Sequence, residues 1–390
     1  MLAVGKPVLN PHPNAIRCGG SKQSDPVLAA RELHRDLAMA NPACVLFFCC
    51  VDYDRERLGR ELTALFGDIP VMGCTTAGEI LPSGIHTGGI TGFSLSADCF
   101  VVEARLLEEL SGVTEQQAHN LVNPMLEALE RRSIAPVLDH TFALSLLDGL
   151  SVREELVLSA LNEGLQGIPL VGGSAGDSLQ LRDTHIYFGQ QFYSNAACII
   201  LINTIYPFTV LSGHHLPPGD DKLVVTNADP AKRIVYELNA EPAALEYCRV
   251  MGLSLDELQS QNFAMHPLAV QMGDSFYTRS IQRLNDDLSL KFFCAIDNGI
   301  VLTKMLDGDL VSEFEQRMQN LEEELGEPPQ LIIGYDCLHR RIEAQQKNQT
   351  EALSAIYQRN KVIGFCTYGE HIDAMHVNHT FTGIAIGGLR

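Results

Sequence analysis

The chain repeats one β-α-β unit three times, and each copy ends in a turn of small residues closed by a carboxylate. The copies span 45–79, 141–177 and 330–370, and their closing residues are Glu79, Asp177 and Glu370. A duplicated supersecondary unit places its copies side by side in space. We therefore predict an α/β fold in which repeated β-α-β units form extended mixed sheets flanked by helices.

The C-terminal half adds a second pattern. Apolar runs between residues 270 and 305 alternate with turn signals such as Asn298-Gly299, which predicts an antiparallel meander. Residues 213–219 carry two histidines and two prolines and are not regular structure. We therefore predict two domains, 25–215 and 216–390, that meet at this segment.

Composition excludes several classes of function. The net charge is −20, and no segment gathers basic residues with aromatic ones, so nucleic acid is not an expected partner. The same acidity argues against an anionic membrane surface, and no apolar run suggests a spanning helix. The 11 cysteines form no CxxC pair and lie largely in apolar strands, which predicts buried thiols and a cytoplasmic protein.

The three glycine-rich turns have two interpretations. Glycine allows backbone amides to approach an anion, so the turns could bind a ligand. None of them fits a dinucleotide or phosphate-loop pattern, however, and the lysine of a phosphate loop is missing. A purely structural turn is therefore the favoured interpretation.

Histidine offers the next candidates, because neutral imidazole is the commonest metal ligand. His214 and His215 follow an apolar strand and precede Pro217-Pro218, so the sequence predicts rings displayed on a stiffened loop. His266 precedes Pro267 in a similar setting. The group 371, 376 and 379 lies in loop and strand-entry sequence, which does not favour a zinc site.

A nucleophilic serine is not predicted. Ser151 lies three residues before Glu154, which is the spacing of a helix N-cap with a capping box. No GxSxG nucleophile motif occurs in the chain. The sequence thus gives no indication of hydrolysis through serine.

These motifs together resemble the FIST family from about residue 25 to 387. The first two turns look like those of the FIST N-terminal sensory domain. Residues 236–247, Arg279-Ser-Ile and the third turn with Asn378-His-Thr look like its C-terminal partner. The resemblance implies a cytoplasmic small-ligand sensor and not an enzyme.

A stand-alone chain of this kind is similar to the haem-binding, nitric-oxide-sensing members that regulate a partner histidine kinase. The family carries a glycine and an aromatic residue where this chain has His214 and His215. The resemblance therefore implies haem b, with its iron held by His214 or His215, or else by His266, and nitric oxide as the ligand. Output is expected through contact with a histidine kinase, and a homodimer is compatible with this arrangement.

Two other hypotheses stay open. One is a sensor for an amino acid or another metabolite, in which the turn amides donate hydrogen bonds and Arg279 clamps a carboxylate. The other is an enzyme that uses Cys74 or Cys366, which occupy matching positions in two repeats.

Overall fold

The computed structural model describes residues 15–388. The helices are α1 (Pro26–Leu37), α2 (Arg55–Phe66), α3 (Glu115–Glu130), α4 (Val137–His140), α5 (Glu154–Leu165), α6 (Ala243–Met251), α7 (Ser260–Met265), α8 (Leu310–Leu325), α9 (Leu338–Gln346) and α10 (Thr350–Arg359). Within residues 15–388, no helix combines the length and apolarity needed to cross a bilayer.

The strands up to the predicted domain boundary are β1 (Ile16–Ser21), β2 (Pro42–Cys50), β3 (Val71–Thr76), β4 (Glu79–Leu81), β5 (Gly84–His86), β6 (Ile90–Ser96), β7 (Phe100–Leu107), β8 (Thr141–Leu147), β9 (Leu170–Ser174), β10 (Ile186–Phe188), β11 (Gln191–Tyr193), β12 (Ala197–Thr204) and β13 (Phe208–Gly213). The strands after it are β14 (Pro218–Asp229), β15 (Ile234–Leu238), β16 (Glu241–Pro242), β17 (Leu268–Met272), β18 (Ser275–Arg279), β19 (Ile281–Leu284), β20 (Leu290–Phe292), β21 (Val301–Met305), β22 (Leu331–Cys337), β23 (Val362–Thr367), β24 (Glu370–Ile372), β25 (Met375–Val377) and β26 (Phe381–Ile386).

Three six-stranded sheets with the same strand plan form the core. Their orders are β1-β6-β2-β3-β10-β11, β7-β12-β8-β9-β24-β25 and β13-β26-β22-β23-β4-β5. In each sheet the two strands of one repeat, such as β2 and β3, pair in parallel at the centre. This arrangement confirms the predicted mixed sheets of repeated β-α-β units.

The last two strands of every sheet come from another repeat. The second repeat gives hairpin β10-β11 to the first sheet, the third gives β24-β25 to the second, and the first gives β4-β5 to the third. The exchange closes on itself, so no sheet is complete without a neighbouring repeat. The core is therefore a ring with approximate threefold symmetry.

Equivalent glycines allow the central strands to pack this closely. A Cβ at Gly73, Gly172 or Gly364 would lie 2.3, 2.0 or 1.7 Å from a carbonyl oxygen of the adjacent parallel strand. Any side chain there would separate the strands. The first glycine of each turn is thus required by backbone contact and not by a ligand.

The three turns also hydrogen-bond to one another around the ring. The amide of Ala77 donates to Cys366 O at 2.9 Å, that of Ser174 to Gly369 O at 2.8 Å, and that of Gly176 to Thr75 O at 3.1 Å. These amides are consumed within the core. The structural interpretation of the turns explains these hydrogen bonds. The three amides are therefore not available to donate to a ligand.

The closing carboxylates brace the exchanged hairpins in two of the repeats. Glu79 accepts from the Gly89 amide at 2.9 Å, and Glu370 accepts from the Thr380 amide at 3.1 Å, so each joins the start of its hairpin to the strand that follows. Asp177 instead accepts from the Leu181 amide at 2.8 Å and organises a longer loop before β10. The carboxylate of the second turn therefore has a different structural role from the other two, and its turn also differs in length.

Apolar packing fills both faces of the sheets. The ring interior is an aromatic cluster in which Phe48, from the first repeat, contacts Phe365 of the third at 4.7 Å between ring centroids. On the outer faces, a pair of helices covers each sheet. The pairs are α1 with α2, α3 with α5, and α8 with α10. All three sheets thus share a single interior.

Strands β14–β21 form a separate antiparallel sheet inserted between β13 and α8. Its order is β18-β17-β21-β14-β15-β20-β19, with β16 against β15, so the prediction of an antiparallel sheet in this half is confirmed. Successive strands are not all neighbours, because β18 and β19 are opposite edges although only Ser280 separates them. The sheet must therefore curl until its two edges meet. The chain leaves the core near the predicted boundary at 215/216 and returns to it at α8.

The predicted N-cap at Ser151 is wrong. Helix α5 begins at Glu154 and its N-cap residue is Arg153, with no side-chain cap. Glu154 is engaged instead in an ion pair with Arg233 of the inserted sheet. A tertiary contact has overridden the local capping pattern.

Glu370 should make stability depend on pH. Burial raises its pKa to about 8, so the native carboxyl holds a proton that the unfolded chain releases near its ordinary value of 4.5. Its stabilising contribution is present below pH 4.5 and decreases between pH 4.5 and 8, by up to about 1.4 kcal/mol per pH unit. Urea unfolding of Glu370→Gln should show a flatter pH dependence in this window. Glu351→Gln, on the exposed side of α10, is the control, and an unchanged slope in Glu370→Gln would contradict the assignment.

Candidate functional site

A cavity of about 400 Å³ lies between the inserted sheet and the core. Residues 274–277 of β18 and its preceding turn form one wall, and residues 212–214, Arg317 of α8, the hairpin β24-β25 and Thr380 form the other. Its size is that of a small-molecule site. Two separately built parts of the molecule therefore meet around one ligand-sized space.

The core wall depends on Arg317. Its guanidinium ion-pairs with Glu313 one turn earlier in α8 and donates a hydrogen bond to the carbonyl of Ser212. The guanidinium lies directly on Gly213, where a Cβ would be 2.1 Å from Nη2. A side chain at position 213 would therefore displace the guanidinium from its present place in the cavity wall.

The sheet wall carries a carboxylate, and the core wall carries a guanidinium that is ion-paired with Glu313. Asp274 projects from the exposed turn before β18, and Arg317 faces the same cavity from α8. Asp274 has no ion-pair or hydrogen-bond partner among residues 15–388. The cavity therefore offers an unpaired carboxylate on the sheet and, on the core, a guanidinium that is already paired with Glu313 and Ser212 but retains further N–H groups.

His214 lines this cavity, as its position in the sequence suggested, but both of its ring nitrogens are engaged. Nε2 donates to the carbonyl of Phe276 at 3.0 Å, and Nδ1 accepts from the Leu216 amide at 3.2 Å. Burial lowers the pKa of the ring. His214 therefore ties the loop to β18 as a neutral imidazole.

His215 points into the core instead. Its side chain is fully buried, Nε2 lies 2.8 Å from Glu343 Oε1, and Nδ1 lies 3.3 Å from Arg340 Nη1. Both nitrogens are again engaged. The adjacent histidines thus serve different parts of the structure, and only one of them reaches the cavity.

The other two predicted residues lie away from the cavity lining. His266 follows α7, and its Nδ1 donates to the carbonyl of Asn262 at 2.9 Å. Arg279 donates to the carbonyl of Thr278 at 3.2 Å, while its buried Nε has no partner. The structure does not bring His266 or Arg279 together with His214.

The predicted haem ligands differ in whether a ring nitrogen is free. An axial histidine needs a free ring nitrogen, and all four ring nitrogens of His214 and His215 are hydrogen-bonded. As arranged, these residues do not fit an iron ligand, whereas Nε2 of His266 has no hydrogen-bond partner among the described residues. Haem binding stays a prediction.

A group of buried polar side chains lies behind Thr380. The rings of His339 and His379 are 5.1 Å apart, and none of their four nitrogens has a hydrogen-bond partner in the described chain. Burial lowers the pKa of His339 to about 4 and holds that of His379 well below its usual range. His379 also adopts a left-handed backbone with φ of 52°. Unpaired buried polar atoms each cost about 1–3 kcal/mol, so this region is not optimised for stability.

An ion-pair cluster holds the inserted sheet against the core beside the cavity. Arg233, which joins β14 to β15, donates to Glu154 at 2.6 Å and also pairs with Glu155, both at the start of α5. Glu155 Oε1 further accepts from the Ala295 amide at 2.6 Å and lies 3.2 Å from Nδ1 of His376 in hairpin β24-β25. One carboxylate therefore connects the sheet, the second repeat and the hairpin that lines the cavity.

The same cluster contains the group in residues 15–388 whose ligand atoms are close enough to hold a metal ion. Its members are Glu154, Glu155 and His376. The guanidinium of Arg233 already contacts both carboxylates. A metal would have to displace this buried cation, so the arrangement is explained without one.

The two candidate cysteines are inaccessible. Cys74 and Cys366 are fully buried, and burial raises the pKa of each thiol. A nucleophilic cysteine needs a stabilised thiolate with some exposure. Neither requirement is met at these positions.

The fold and this cavity define an α/β protein with a ligand-sized space between two structural parts. The model of the FIST N domain matches residues 43–241, and that of the FIST C domain matches 243–373. The chain therefore belongs to the FIST family, whose domains are signal-transduction sensor domains. The two matched segments meet at 241–243, whereas the boundary predicted from sequence is 215/216.

Other comparisons add little. No curated protein matches the chain. Among solved structures, one described as "Cyanuric acid hydrolase: evolutionary innovation by structural concatenation" aligns over 95% of this chain and 99% of its own, with 9% identity and a TM-score of 0.38. A likeness at this distance carries no argument about activity.

Replacing Arg233 should destabilise the protein strongly. Arg233→Met leaves two carboxylates without their cation, one of them fully buried, and such a change costs about 3–5 kcal/mol. Arg359→Met, in an exposed pair with Glu315, should have little effect on urea unfolding. The triple variant Arg233→Met, Glu154→Gln, Glu155→Gln should recover most of the loss. Equal effects of the two single variants would show that the cluster does not hold the sheet in place.

Proposed function

We propose that the chain is a sensor for a small zwitterionic metabolite, such as an amino acid, which binds in the cavity between the inserted sheet and the core. The observation that carries the proposal is the meeting of Asp274 and Arg317 from two structural parts across one cavity. An ammonium group would contact Asp274, and a carboxylate would contact Arg317. Arg279, the clamp predicted from sequence, is not among the cavity residues.

Binding of this kind would couple to conformation. A ligand that contacts both walls favours the arrangement in which the walls are close, and it shifts the population by its difference in affinity for the two arrangements. Hairpin β24-β25 lines the cavity and also carries His376, which contacts Glu155. Occupancy can therefore alter the same contacts that hold the sheet to the core.

Output is proposed to pass through protein contact, with no chemical reaction catalysed by this chain. The net charge of −20 disfavours nucleic acid as the receiver. A histidine kinase is the proposed partner, and a second copy of the chain could share the surface in a homodimer. Both the cytoplasmic setting and these partners rest on the family resemblance.

Haem b with nitric oxide is the second candidate. The observation in its favour is that Nε2 of His266 has no hydrogen-bond partner among residues 15–388. An absorption spectrum of the purified protein with added haem separates the two candidates. A Soret band that is lost in His266→Ala would support haem, whereas its absence at stoichiometric haem would leave the metabolite proposal.

Substitutions on the two walls should weaken amino acid binding while leaving the fold intact. Calorimetric titration of each amino acid into the full chain should identify a ligand, and Asp274→Asn and Arg317→Gln should each weaken it roughly ten- to hundredfold. This range follows from about 1.5–3 kcal/mol for a hydrogen bond to a charged group.

The control is Asp220→Asn, an exposed carboxylate of the same sheet outside the cavity. It should bind with unchanged affinity. If Asp274→Asn binds as tightly as the control, the cavity is not where the ammonium group lies.

A further inference from the structure

Three arginines are buried among residues 15–388, namely Arg233, Arg340 and Arg341. The first two each pair with a carboxylate at 2.6 Å. Arg341 is 7% exposed and has neither an ion pair nor a hydrogen bond within the described chain. A buried charge without a counter-charge is costly, so this guanidinium requires an explanation.

The guanidinium of Arg341 is partly open to solvent. Its Nε is buried without a partner, whereas the two terminal nitrogens are not sealed from water. All five of its N–H groups are therefore free, and those of the terminal nitrogens can be reached from outside. The opening is narrow, because the residue is only 7% exposed, and it favours a small ligand.

Arg341 belongs to a helix that the first two repeats lack. One helix joins the central strands in each of those repeats, whereas α9 and α10 both lie between β22 and β23. Residues 338–344 of α9 are all buried although several are polar. The other charged side chains of this helix, Arg340 and Glu343, are both ion-paired. Among residues 15–388, only Arg341 of α9 thus carries a charge without a counter-charge.

The arginine reaches from the third repeat to the turn of the first. A Cβ at Gly78 would lie 3.4 Å from Cδ of Arg341 and 3.5 Å from its Nε. The first repeat therefore packs against the stem of the arginine and fixes where the guanidinium lies.

The carboxyl group of Glu79 is near enough to interact electrostatically with Arg341 but does not pair with it. Its two oxygens accept instead from the Thr76 hydroxyl and the Gly89 amide. Burial raises the pKa of Glu79 to about 7, which weakens it further as a counter-charge. Burial also raises the pKa of the nearby Cys366 thiol, so this group is neutral. The described chain thus leaves the charge of Arg341 uncompensated.

The third turn shows how the ring fills the equivalent space elsewhere. Gly369 corresponds to Gly78 and lies against His376, whose Nε2 would be 1.8 Å from a Cβ there. Nδ1 of that ring lies 3.2 Å from Glu155, at the start of α5. A titratable side chain therefore meets a carboxylate above the third turn, whereas the cation above the first turn meets none.

We propose that Arg341 binds a small carboxylate, which accepts two hydrogen bonds from the guanidinium and supplies the missing counter-charge. The site is distinct from the metabolite cavity, whose lining does not include Arg341. Helix α9 also carries Glu343, which holds His215 of the loop beside that cavity. Occupancy would therefore fix the helix that braces this loop.

The test uses the full chain in a bulky sulfonate buffer, with sodium formate and sodium acetate as probes. Binding is followed by the Nε–H NMR resonance of Arg341, which should shift saturably and give a dissociation constant. Sodium chloride at equal concentration is the reference. An equal shift with chloride would contradict the assignment to a carboxylate, and no saturable shift with either carboxylate would overturn the proposal.

Stability gives a second measure of the same binding. A ligand that binds only the folded chain lowers the unfolding equilibrium constant about a hundredfold at one hundred times its dissociation constant. Urea unfolding in formate should show this decrease in the wild type. It should also show it in Arg359→Met, which changes an exposed arginine paired with Glu315. Arg341→Met should show no decrease.

The order of stabilities separates the proposal from a purely structural role. Without a carboxylate, Arg341→Met should be at least as stable as the wild type, because methionine keeps an apolar stem and removes the unpaired charge. In saturating formate it should be the less stable of the two. A large loss of stability in Arg341→Met without a carboxylate would show that the chain already compensates the guanidinium. That result, or equal formate responses in Arg341→Met and Arg359→Met, would overturn the proposal.

Discussion

Hydrogen bonding between the three glycine-rich turns is the constraint on which the rest of the structure depends. Each turn donates to, or accepts from, the others at the centre of the ring, and each passes directly or through a short loop into a hairpin that completes a neighbouring sheet. The glycines that begin the turns allow parallel strands to approach at distances that no side chain permits. The curled sheet and the cavity beside it are built on a core that closes only when all three repeats are present.

Much of this core could be predicted from the sequence, because the repeats preserve their strand, helix and turn pattern. The exchange of hairpins could not, since strands of three residues such as β4 and β5 carry no signal for the edge they join. The same limit applies to the inserted sheet, whose strands were recognised but whose order was not. Ser151 shows the opposite error, in which a clear local pattern loses to an ion pair from a distant part of the chain.

Little of the candidate site can be predicted from the sequence. His214 lies at a cavity between core and sheet, where the sequence predicts a displayed ring, but hydrogen bonds engage both of its ring nitrogens. Asp274 and Arg317 meet there only through tertiary structure, and His339 and His379 look ordinary in sequence because nothing local reveals that their nitrogens are unpaired.

The central claim is that a ligand bridges the inserted sheet and the core, and hydrogen exchange on the intact chain tests it most directly. Exchange is measured with and without a saturating amount of the amino acid that binds most tightly. The account predicts slower exchange on both walls of the cavity, at 274–277 and at 372–377, with little change in α2, which does not line the cavity. Protection limited to one wall, or confined to α2, would contradict it.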